Sequence, residues 1–208
     1  MITPQDRIDL YRAAFPDFAP LYLMNGRIEG LWIMGQNYTV KTGYYGGYPH
    51  GYLKRVMAMF PDVKRVLHLF SGCVEKTAPE HVTIDINPDR KPDIVGNAEN
   101  LSEHAPGPFD LILADPPYSV EDCEHYGTPM VSRFKVVKEC FKVLALGGHL
   151  VWLDQVFPMF RKVETPLVGT IYLREELPDG MVQAGEIGMV KSTNHRVRAV
   201  FMYRKDGR

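Results

Sequence analysis

Residues 109–127 read FDLILADPPYSVEDCEHYG and join an apolar segment directly to two consecutive prolines. The segment FDLILA has the near-continuous apolar character of a strand that is buried on both faces of a parallel sheet. Asp115-Pro116-Pro117-Tyr118 follows at once, and prolines end a strand because they cannot donate to its ladder. The stretch therefore predicts a buried strand that delivers a carboxylate, a rigid turn and an aromatic ring to one edge of a sheet. The residues after Tyr118 have no apolar period and predict a loop.

Four more apolar segments between residues 63 and 154 are separated by turns or helices: VKRVLHLF, HVTIDI, PDIVG and HLVWLD. This alternation predicts an α/β fold with a doubly wound, mostly parallel sheet. The clearest connecting helix is predicted from Val131 to Leu146, with Gly147-Gly148 as its stop signal. The connections after the first and third strands are short, so their helices must be stunted or replaced by loops. The segments LVGTIYL and RVRAVFMYRK predict two last strands.

The N-terminal part of the chain has a different pattern. A helix is predicted from Gln5 to Phe15, and LYLMNGRIEGLWIMG reads as a hairpin because Asn25-Gly26 is a strong turn signal. The next stretch, NYTVKTGYYGGYPHG, is rich in tyrosine and glycine and predicts a functional loop. YLKRVMAMF then places Leu53, Val56 and Phe60 on one helical face, which predicts a helix packed against the sheet.

Bulk properties limit the classes of protein to consider. The chain has 208 residues, enough for one well-buried domain, and it lacks an apolar run of the ~20 residues that span a bilayer. Its three cysteines are too few and too scattered for a disulfide framework or a zinc site, and the charged N-terminal segment is unlike a signal peptide, so a cytoplasmic location is expected. The net charge of −1 gives no overall nucleic-acid signature. Residues 191–208 carry six basic residues and one acid, and this edge can either meet phosphates or simply be a solvated strand and tail.

The ends of the predicted strands carry the chemistry. In a doubly wound sheet the ligand lies beyond the carboxyl ends of the strands. Ser71-Gly72 follows the first strand and permits close backbone approach, and Asp85 ends the second strand and can accept hydrogen bonds from a ribose diol. Asn97 follows the third strand and can pair with an adenine edge. Asp115 ends the fourth strand. Each can also be a simple turn residue or helix cap. Four polar strand ends in this order are nevertheless hard to obtain from turns alone.

These residues resemble class I S-adenosylmethionine-dependent methyltransferases, and within them the amino-methyltransferases that carry a D/N-P-P-Y/F motif. The resemblance covers residues 63–204, with LHLFSGC as the cofactor loop, TIDIN as the acidic second strand and VGNAENL as the adenine-contacting turn. Its most specific parts are DPPY as the catalytic motif and VLALGGHLVWLD as the helix, Gly-Gly and fifth strand. It implies a Rossmann-like sheet of about seven strands whose last strand is antiparallel. Residues 1–62 are then expected to be an N-terminal helix and hairpin extension with a cofactor-covering loop, part of the same domain, and residues 63–208 the catalytic core.

The resemblance also implies roles for individual residues. S-adenosyl-L-methionine is the expected cofactor, and the residues expected to bind it are Tyr45, Tyr48, His68, Phe70, Ser71, Gly72, Asp85, Ile86, Asn97, Ala98 and Asp115, with Tyr44 as a further candidate. The catalytic residues are expected to be Asp115, Pro116, Pro117 and Tyr118. In this family the Asp side chain and the first Pro carbonyl accept the two N–H bonds of an exocyclic amine, and the aromatic ring stacks on a flipped base. No metal, strong base or covalent nucleophile is required.

The expected substrate is an amino group on a nucleic-acid base, because the Asp form of the motif fits base amines. Adenine is the expected base, and DNA is expected rather than RNA. Two alternatives remain: a ribosomal RNA guanine amino-methyltransferase, and a non-catalytic nucleic-acid-binding or regulatory protein with a degenerate cofactor site. The second rests on two departures from the family pattern, His68 in place of an acidic residue and Val74 in place of a glycine. The short span between the adenine-contacting turn and the catalytic strand leaves no room for a recognition domain, so we expect modest sequence specificity or a separate specificity subunit. Lys41, Lys54, Arg55 and the basic C-terminal edge are expected to contact the nucleic-acid backbone.

Overall fold

A computed structural model describes residues 2–34, 47–49, 51–158, 166–175 and 198–206. The strands within these ranges are β1 Leu21–Met24, β2 Arg27–Met34, β3 Val66–Leu69, β4 His81–Asp85, β5 Ile94–Val95, β6 Phe109–Ala114, β7 Leu144–Asp154, β8 Leu167–Glu175 and β9 Arg198–Arg204. The α-helices are α1 Pro4–Ala14, α2 Tyr52–Met59, α3 Leu101–His104, α4 Val120–Tyr126 and α5 Arg133–Val143, and short 3-10 turns cover Pro88–Arg90 and Ala98–Asn100. Among these helices, none is long and apolar enough to cross a membrane.

All nine strands form one sheet in the order β1-β2-β8-β9-β7-β6-β3-β4-β5. Five neighbouring strands are parallel, in the order β5-β4-β3-β6-β7. From β3 the chain adds strands toward one edge of the sheet and from β6 toward the other, so the topological switch point of this doubly wound order lies between β3 and β6. The last strand, β9, lies between β7 and β8 and is antiparallel to both. The predicted α/β Rossmann-like fold with an antiparallel last strand is confirmed.

The sheet has nine strands where about seven were expected, because the predicted N-terminal hairpin joins it. Asn25 and Gly26 adopt φ values of 50° and 75°, as a tight two-residue hairpin turn requires, and they connect β1 to β2. Strand β2 then pairs in parallel with β8. The hairpin therefore widens the sheet instead of standing outside it, while the division of the chain at residue 62 stays a prediction.

The helix predicted from Val131 to Leu146 is shorter in the structure, where α5 ends at Val143 and β7 begins at Leu144. Leu144 leaves the helix because it pairs with Phe109 of β6. Gly147 and Gly148 are not a helix stop, since both lie inside β7. Their backbones pair with the C-terminal segment, with Gly147 N donating to Lys205 O at 2.8 Å and Lys205 N donating to Gly148 O at 2.9 Å. Strand pairing thus overrides the local helix signal.

The two faces of the sheet bury two apolar clusters. One face, with Ile112 and Trp152, packs against α3 and α5. The opposite face, with Leu113 and Val151, packs against α1 and α2. Since side chains alternate along a strand, the residue two positions after Leu113 is directed toward the α2 side. That residue is Asp115, so the predicted catalytic carboxylate lies at the carboxyl edge of the sheet on the face that α2 covers.

Candidate active site

The end of β6 brings Asp115 and Tyr118 into direct contact. The hydroxyl of Tyr118 donates a hydrogen bond to Asp115 Oδ1. Arg198, the first residue of β9, places its Nη1 3.4 Å from the same hydroxyl and its guanidinium 5.9 Å from the centre of the Tyr118 ring. In the described part of the chain, nothing donates to Asp115 Oδ2 or to the carbonyl of Pro116. Within the described residues, these two acceptors are open to a ligand.

Every polar group of Tyr118 has a partner. Besides the hydroxyl, its backbone N–H donates to Asp122 Oδ2 at 3.2 Å, and its carbonyl accepts from Arg133 Nη2 at 3.3 Å. The two prolines before it fix their own φ angles. The turn is therefore held in one conformation from three directions, and its two free acceptors have a defined orientation.

The electrostatics of the site are set by burial. Burial raises the pKa of Asp115 to about 7, and the nearby carboxylates of Asp154 and Asp122 raise this pKa further, while the Tyr118 hydrogen bond and the positive charge of Arg198 lower it. Burial and the adjacent Asp115 likewise raise the pKa of Tyr118 well above its usual value. Near neutral pH, Asp115 is thus divided between its carboxylate and its protonated form. A carboxyl in this state can both accept a hydrogen bond and take up a proton.

A buried ion pair between Arg133 and Asp154 contacts the turn through the Tyr118 carbonyl. The side chain of Asp154, at the end of β7, is 0% exposed, and it accepts from Arg133 Nε at 2.7 Å and from Arg133 Nη2 at 3.2 Å. It also accepts from Trp152 Nε1 at 3.0 Å and from the backbone N–H groups of Gln155 and Val156 at 2.7 and 3.1 Å. Neither residue was predicted as part of the site: Arg133 lies in no motif, whereas Asp154 ends the predicted strand HLVWLD and carries the same strand-end signal as Asp85 and Asp115.

The predicted loop after Tyr118 is a helix, α4. Ser119 begins it with a capping box, in which Asp122 N donates to Ser119 Oγ at 3.2 Å and Ser119 N donates to Asp122 Oδ2 at 3.2 Å. Gly127 ends it with φ at 65°. The side chain of Asp122 therefore binds two N–H groups at the junction of the turn and the helix, which stabilises both.

The first strand ends in a tight loop at the expected cofactor site. Phe70 and Gly72 adopt φ values of 59° and 52°, and Ser71 N donates to Ile84 O at 3.1 Å. Asp85 Oδ2 accepts from Gly72 N at 2.8 Å and Asp85 Oδ1 from Asn87 N at 2.9 Å, so each oxygen keeps a lone pair for a ligand. The buried Oγ of Ser71 lacks a partner among the described residues. A polar ligand at this loop fits both observations.

His68 occupies the position at which the family resemblance leads one to expect an acid. It is 2% exposed, and its Nε2 lies 3.2 Å from Nδ1 of His81 on β4. Burial and the neighbouring His81 lower the pKa of His68 to about 4, so the imidazole is neutral at physiological pH. Tyr48 packs edge-on against it with ring centroids 6.2 Å apart, while Tyr44 and Tyr45 lie outside the described residues.

Asn97, in the turn after β5, caps the turn that follows it, which is the simpler of the two roles expected for this residue. Asn97 Oδ1 accepts from Glu99 N at 2.9 Å and caps the 3-10 turn, in which Ala98 is buried. Glu99 Oε1 in turn accepts from Ser132 N at 2.6 Å. Ile86, directly after Asp85, is 40% exposed and offers apolar surface. Contact of Asn97, Ala98 and Ile86 with an adenine ring stays a prediction.

The basic residues expected to attract nucleic acid have mixed positions. Lys54 is exposed, but Arg55 is buried, with its guanidinium 4.3 Å from the centre of the Phe18 ring, so the expectation that Arg55 meets phosphates is wrong. At the C-terminal edge, Arg204 pairs with Asp206 at 2.6 Å and Lys205 Nζ donates to Leu144 O at 2.7 Å. Lys41 and the basic residues at 191 and 196 lie outside the described ranges.

Comparison with known proteins gives distant structural likenesses. No protein-family model and no curated protein matches the chain. TrmN from Thermus thermophilus is 16% identical, with 68% of this chain and 43% of that chain covered and a TM-score of 0.45, so the chain spans less than half of TrmN. The N-methyltransferase NodS from Bradyrhizobium japonicum WM9 is 18% identical over 70% of this chain and 87% of its own, with a TM-score of 0.41. A methyltransferase from Pyrococcus furiosus is 13% identical over 98% of both chains, with a TM-score of 0.44. Likenesses at this level assign no activity.

Proposed function

We propose that the protein transfers a methyl group from S-adenosyl-L-methionine to an exocyclic amino group of a nucleic-acid base, adenine in DNA being the first candidate. The observation that carries this proposal is the pair of open acceptors at the end of β6. Asp115 Oδ1 is engaged by Tyr118, while Asp115 Oδ2 and the Pro116 carbonyl are available at the edge of the sheet, next to the switch point between β3 and β6.

These acceptors suit the chemistry of an aromatic amine. Such an amine is a poor nucleophile because its lone pair is delocalised into the ring. Two acceptors that take its two N–H bonds localise the lone pair and orient it, and catalysis is then mainly alignment and electrostatics. When the methyl group has moved to nitrogen, one N–H proton must leave. Asp115, with a pKa of about 7, can take up that proton at neutral pH.

The loop after β3 and the end of β4 would hold the cofactor, which supplies a methyl group activated on a sulfonium. Asp85 has lone pairs free to accept from a ribose, and the left-handed Gly72 lets the backbone approach the ligand closely. The unpartnered Oγ of Ser71 adds a polar contact.

The direct test is to incubate the purified chain with DNA, with RNA and with cofactor that carries a trideuterated methyl group, and to identify labelled nucleosides by mass spectrometry. N6-methyladenosine in its deoxy form is the expected product. The Asp115→Asn variant, which keeps the shape but not the carboxylate, should give none. Labelled N2-methylguanosine in RNA would instead support the ribosomal RNA alternative, and labelling that is equal in the variant would contradict the role of Asp115.

A non-catalytic function is the second candidate, and the buried, neutral imidazole of His68 favours it, because the corresponding acid of the family is missing. Isothermal titration with S-adenosylmethionine separates the two. Micromolar affinity supports the enzyme, whereas binding that stays undetected at millimolar cofactor supports a regulatory protein.

A further inference from the structure

The first two residues of the α5 region connect the two turns of the site. Ser132 N donates to Glu99 Oε1 at 2.6 Å, which ties α5 to the turn that begins at Asn97. The next residue, Arg133, donates from Nη2 to the carbonyl of Tyr118 at 3.3 Å, which ties α5 to the catalytic turn. Two adjacent residues thus contact both the expected cofactor turn and the catalytic turn.

The guanidinium of Arg133 is itself held in place. Asp154 accepts from its Nε and Nη2, and the Arg133 side chain is only 18% exposed while that of Asp154 is 0% exposed. Nη2 therefore bonds both Asp154 and the Tyr118 carbonyl. The remaining bonds to Asp154, from Trp152 Nε1 and two backbone N–H groups, fix the carboxylate in turn.

Stability alone does not explain such a pair. Removing two charges from water is costly, and replacement of a buried ion pair by apolar residues of similar volume is often neutral or stabilising. What an apolar pair cannot do is donate to the carbonyl of Tyr118. The planar guanidinium bonds the Asp154 carboxylate through two nitrogens and also donates to this carbonyl, and a lysine ammonium lacks that fork.

We propose that Arg133 is a positioning residue for the catalytic turn and that Asp154 orients it. This inference rests on the proposed methyl transfer and extends it to two residues outside the motif. Loss of Arg133 leaves the Tyr118 carbonyl without its donor, which frees the turn to rotate. The Pro116 carbonyl and Asp115 Oδ2, the two acceptors for the amine, then move relative to the cofactor. Because a displacement of about 1 Å can cost about 100-fold in rate, a large effect on turnover is expected.

The test uses the double variant Arg133→Met with Asp154→Asn, which removes both charges and keeps an oxygen for the backbone N–H groups of Gln155 and Val156. The matched control is Arg7→Met. The Arg7 side chain is 6% exposed, donates to Met59 O at 2.6 Å and approaches Asp62 at 3.4 Å, far from the catalytic turn. Both proteins are assayed well below their melting temperatures for kcat, for KM of the cofactor and for hydrogen exchange of the peptide that spans residues 113–122.

The double variant should lose about 10- to 100-fold in kcat while KM for the cofactor stays within about twofold, and amide exchange at Tyr118 and Ser119 should accelerate at least about tenfold. The control should keep kcat and that exchange rate even if its melting temperature falls. If the double variant does not fold, Arg133→Lys, which keeps the charge but not the planar fork, serves in its place and should lose part of kcat.

Two results would overturn the proposal: a kcat within twofold of wild type in the double variant, or an equal loss of kcat in the control. If the wild-type chain methylates no nucleoside, the proposed function fails by itself. The exchange comparison then still decides the positioning role, since unchanged exchange at Tyr118 and Ser119 would exclude it.

Discussion

At the scale of single residues, Tyr118 has two separable parts. Its ring offers a stacking surface, as the DPPY motif predicts, and its hydroxyl holds Asp115 Oδ1, which the motif alone does not reveal. The hydroxyl also links Asp115 to Arg198, a residue 80 positions further along the chain. The two parts act on different quantities, because stacking affects substrate binding and the hydroxyl affects the pKa of Asp115.

Substitution of Tyr118 can separate these parts. In the proposed reaction the carboxylate form of Asp115 accepts the amine, so kcat/KM should rise with pH around the Asp115 pKa of about 7. The Tyr118 hydrogen bond lowers that pKa, so Tyr118→Phe should move the midpoint to higher pH and leave the high-pH plateau within a few-fold of wild type. Tyr118→Ala should lower the plateau as well, by about 1 to 3 kcal/mol of lost stacking. A midpoint that is the same in Tyr118→Phe and wild type would contradict this division.

Asp85 is the second residue with a separable role. Asp85→Ala should weaken binding of S-adenosylmethionine by about 1.5 to 3 kcal/mol, because a charged acceptor is lost. Asp93→Ala is the matched control, since Asp93 accepts from the backbone and hydroxyl of Thr83 on the same strand at 2.8 and 2.9 Å. The control should lose stability but not affinity. Isothermal titration of both variants decides the matter, and equal affinities of the two would remove Asp85 from the ribose site.

At the scale of elements, the wrong prediction for α4 has a local cause and the wrong boundary of α5 has a long-range one. Helix α4 has seven residues and buries only Asp122 and Cys123, so it has too short an apolar face to give a period. The signal that could have found it is the spacing Ser119 to Asp122, a capping box, followed by Gly127. For α5, Gly147-Gly148 resembled a stop signal, but pairing of β7 with β6 and with the C-terminal segment decides the boundary.

The capping box of α4 gives a prediction about stability and activity together. Asp122→Ala removes the acceptor for Ser119 N and Tyr118 N, and it should lower the free energy of unfolding by about 0.5 to 2 kcal/mol and reduce kcat. Asp6→Ala removes the equivalent box at α1, where Thr3 N donates to Asp6 at 2.8 Å, so it should cost similar stability with kcat unchanged. Urea unfolding and steady-state rates on both variants test this. Equal kcat values for the two variants would show that the α4 cap does not support the turn.

At the scale of the whole molecule, sequence analysis reached the fold and the motif but not the contacts between them. The apolar strands and their order along the chain were sufficient for the doubly wound sheet, and strand ends were sufficient to nominate Asp85 and Asp115. Asp154 ends the predicted strand HLVWLD and is open to the same argument, but Arg198 and Arg133 could not be found this way, because they meet the catalytic turn only through the pairing of β9 with β7 and the packing of α5 on the sheet. Local patterns carry no information on such long-range contacts.

The same folding buries several titratable groups, and their balance predicts how stability depends on pH. Burial and nearby charges lower the pKa of His68 to about 4 and that of His149 to about 3, while burial raises the pKa of Asp115 to about 7. Between pH 4.5 and 6 the unfolded chain therefore binds two more protons on the histidines, and the folded chain binds one more on Asp115. Stability rises with pH wherever the unfolded state binds more protons.

For these three groups, the net difference of about one proton contributes a fall of about 1.4 kcal/mol in the free energy of unfolding for each unit of acidification in this window. The lowered pKa of His81 adds to the same trend. Asp115→Asn removes the opposing proton, so its slope should be steeper than that of wild type by about 1.4 kcal/mol per pH unit, and it should be more stable than wild type above pH 7, where the wild-type carboxylate is charged and buried. Urea unfolding of both proteins at pH 4.5, 5.2, 6 and 8 measures the slopes. Parallel slopes would mean that Asp115 titrates near its ordinary value in the folded protein, and the proton uptake assigned to it would then have no physical basis.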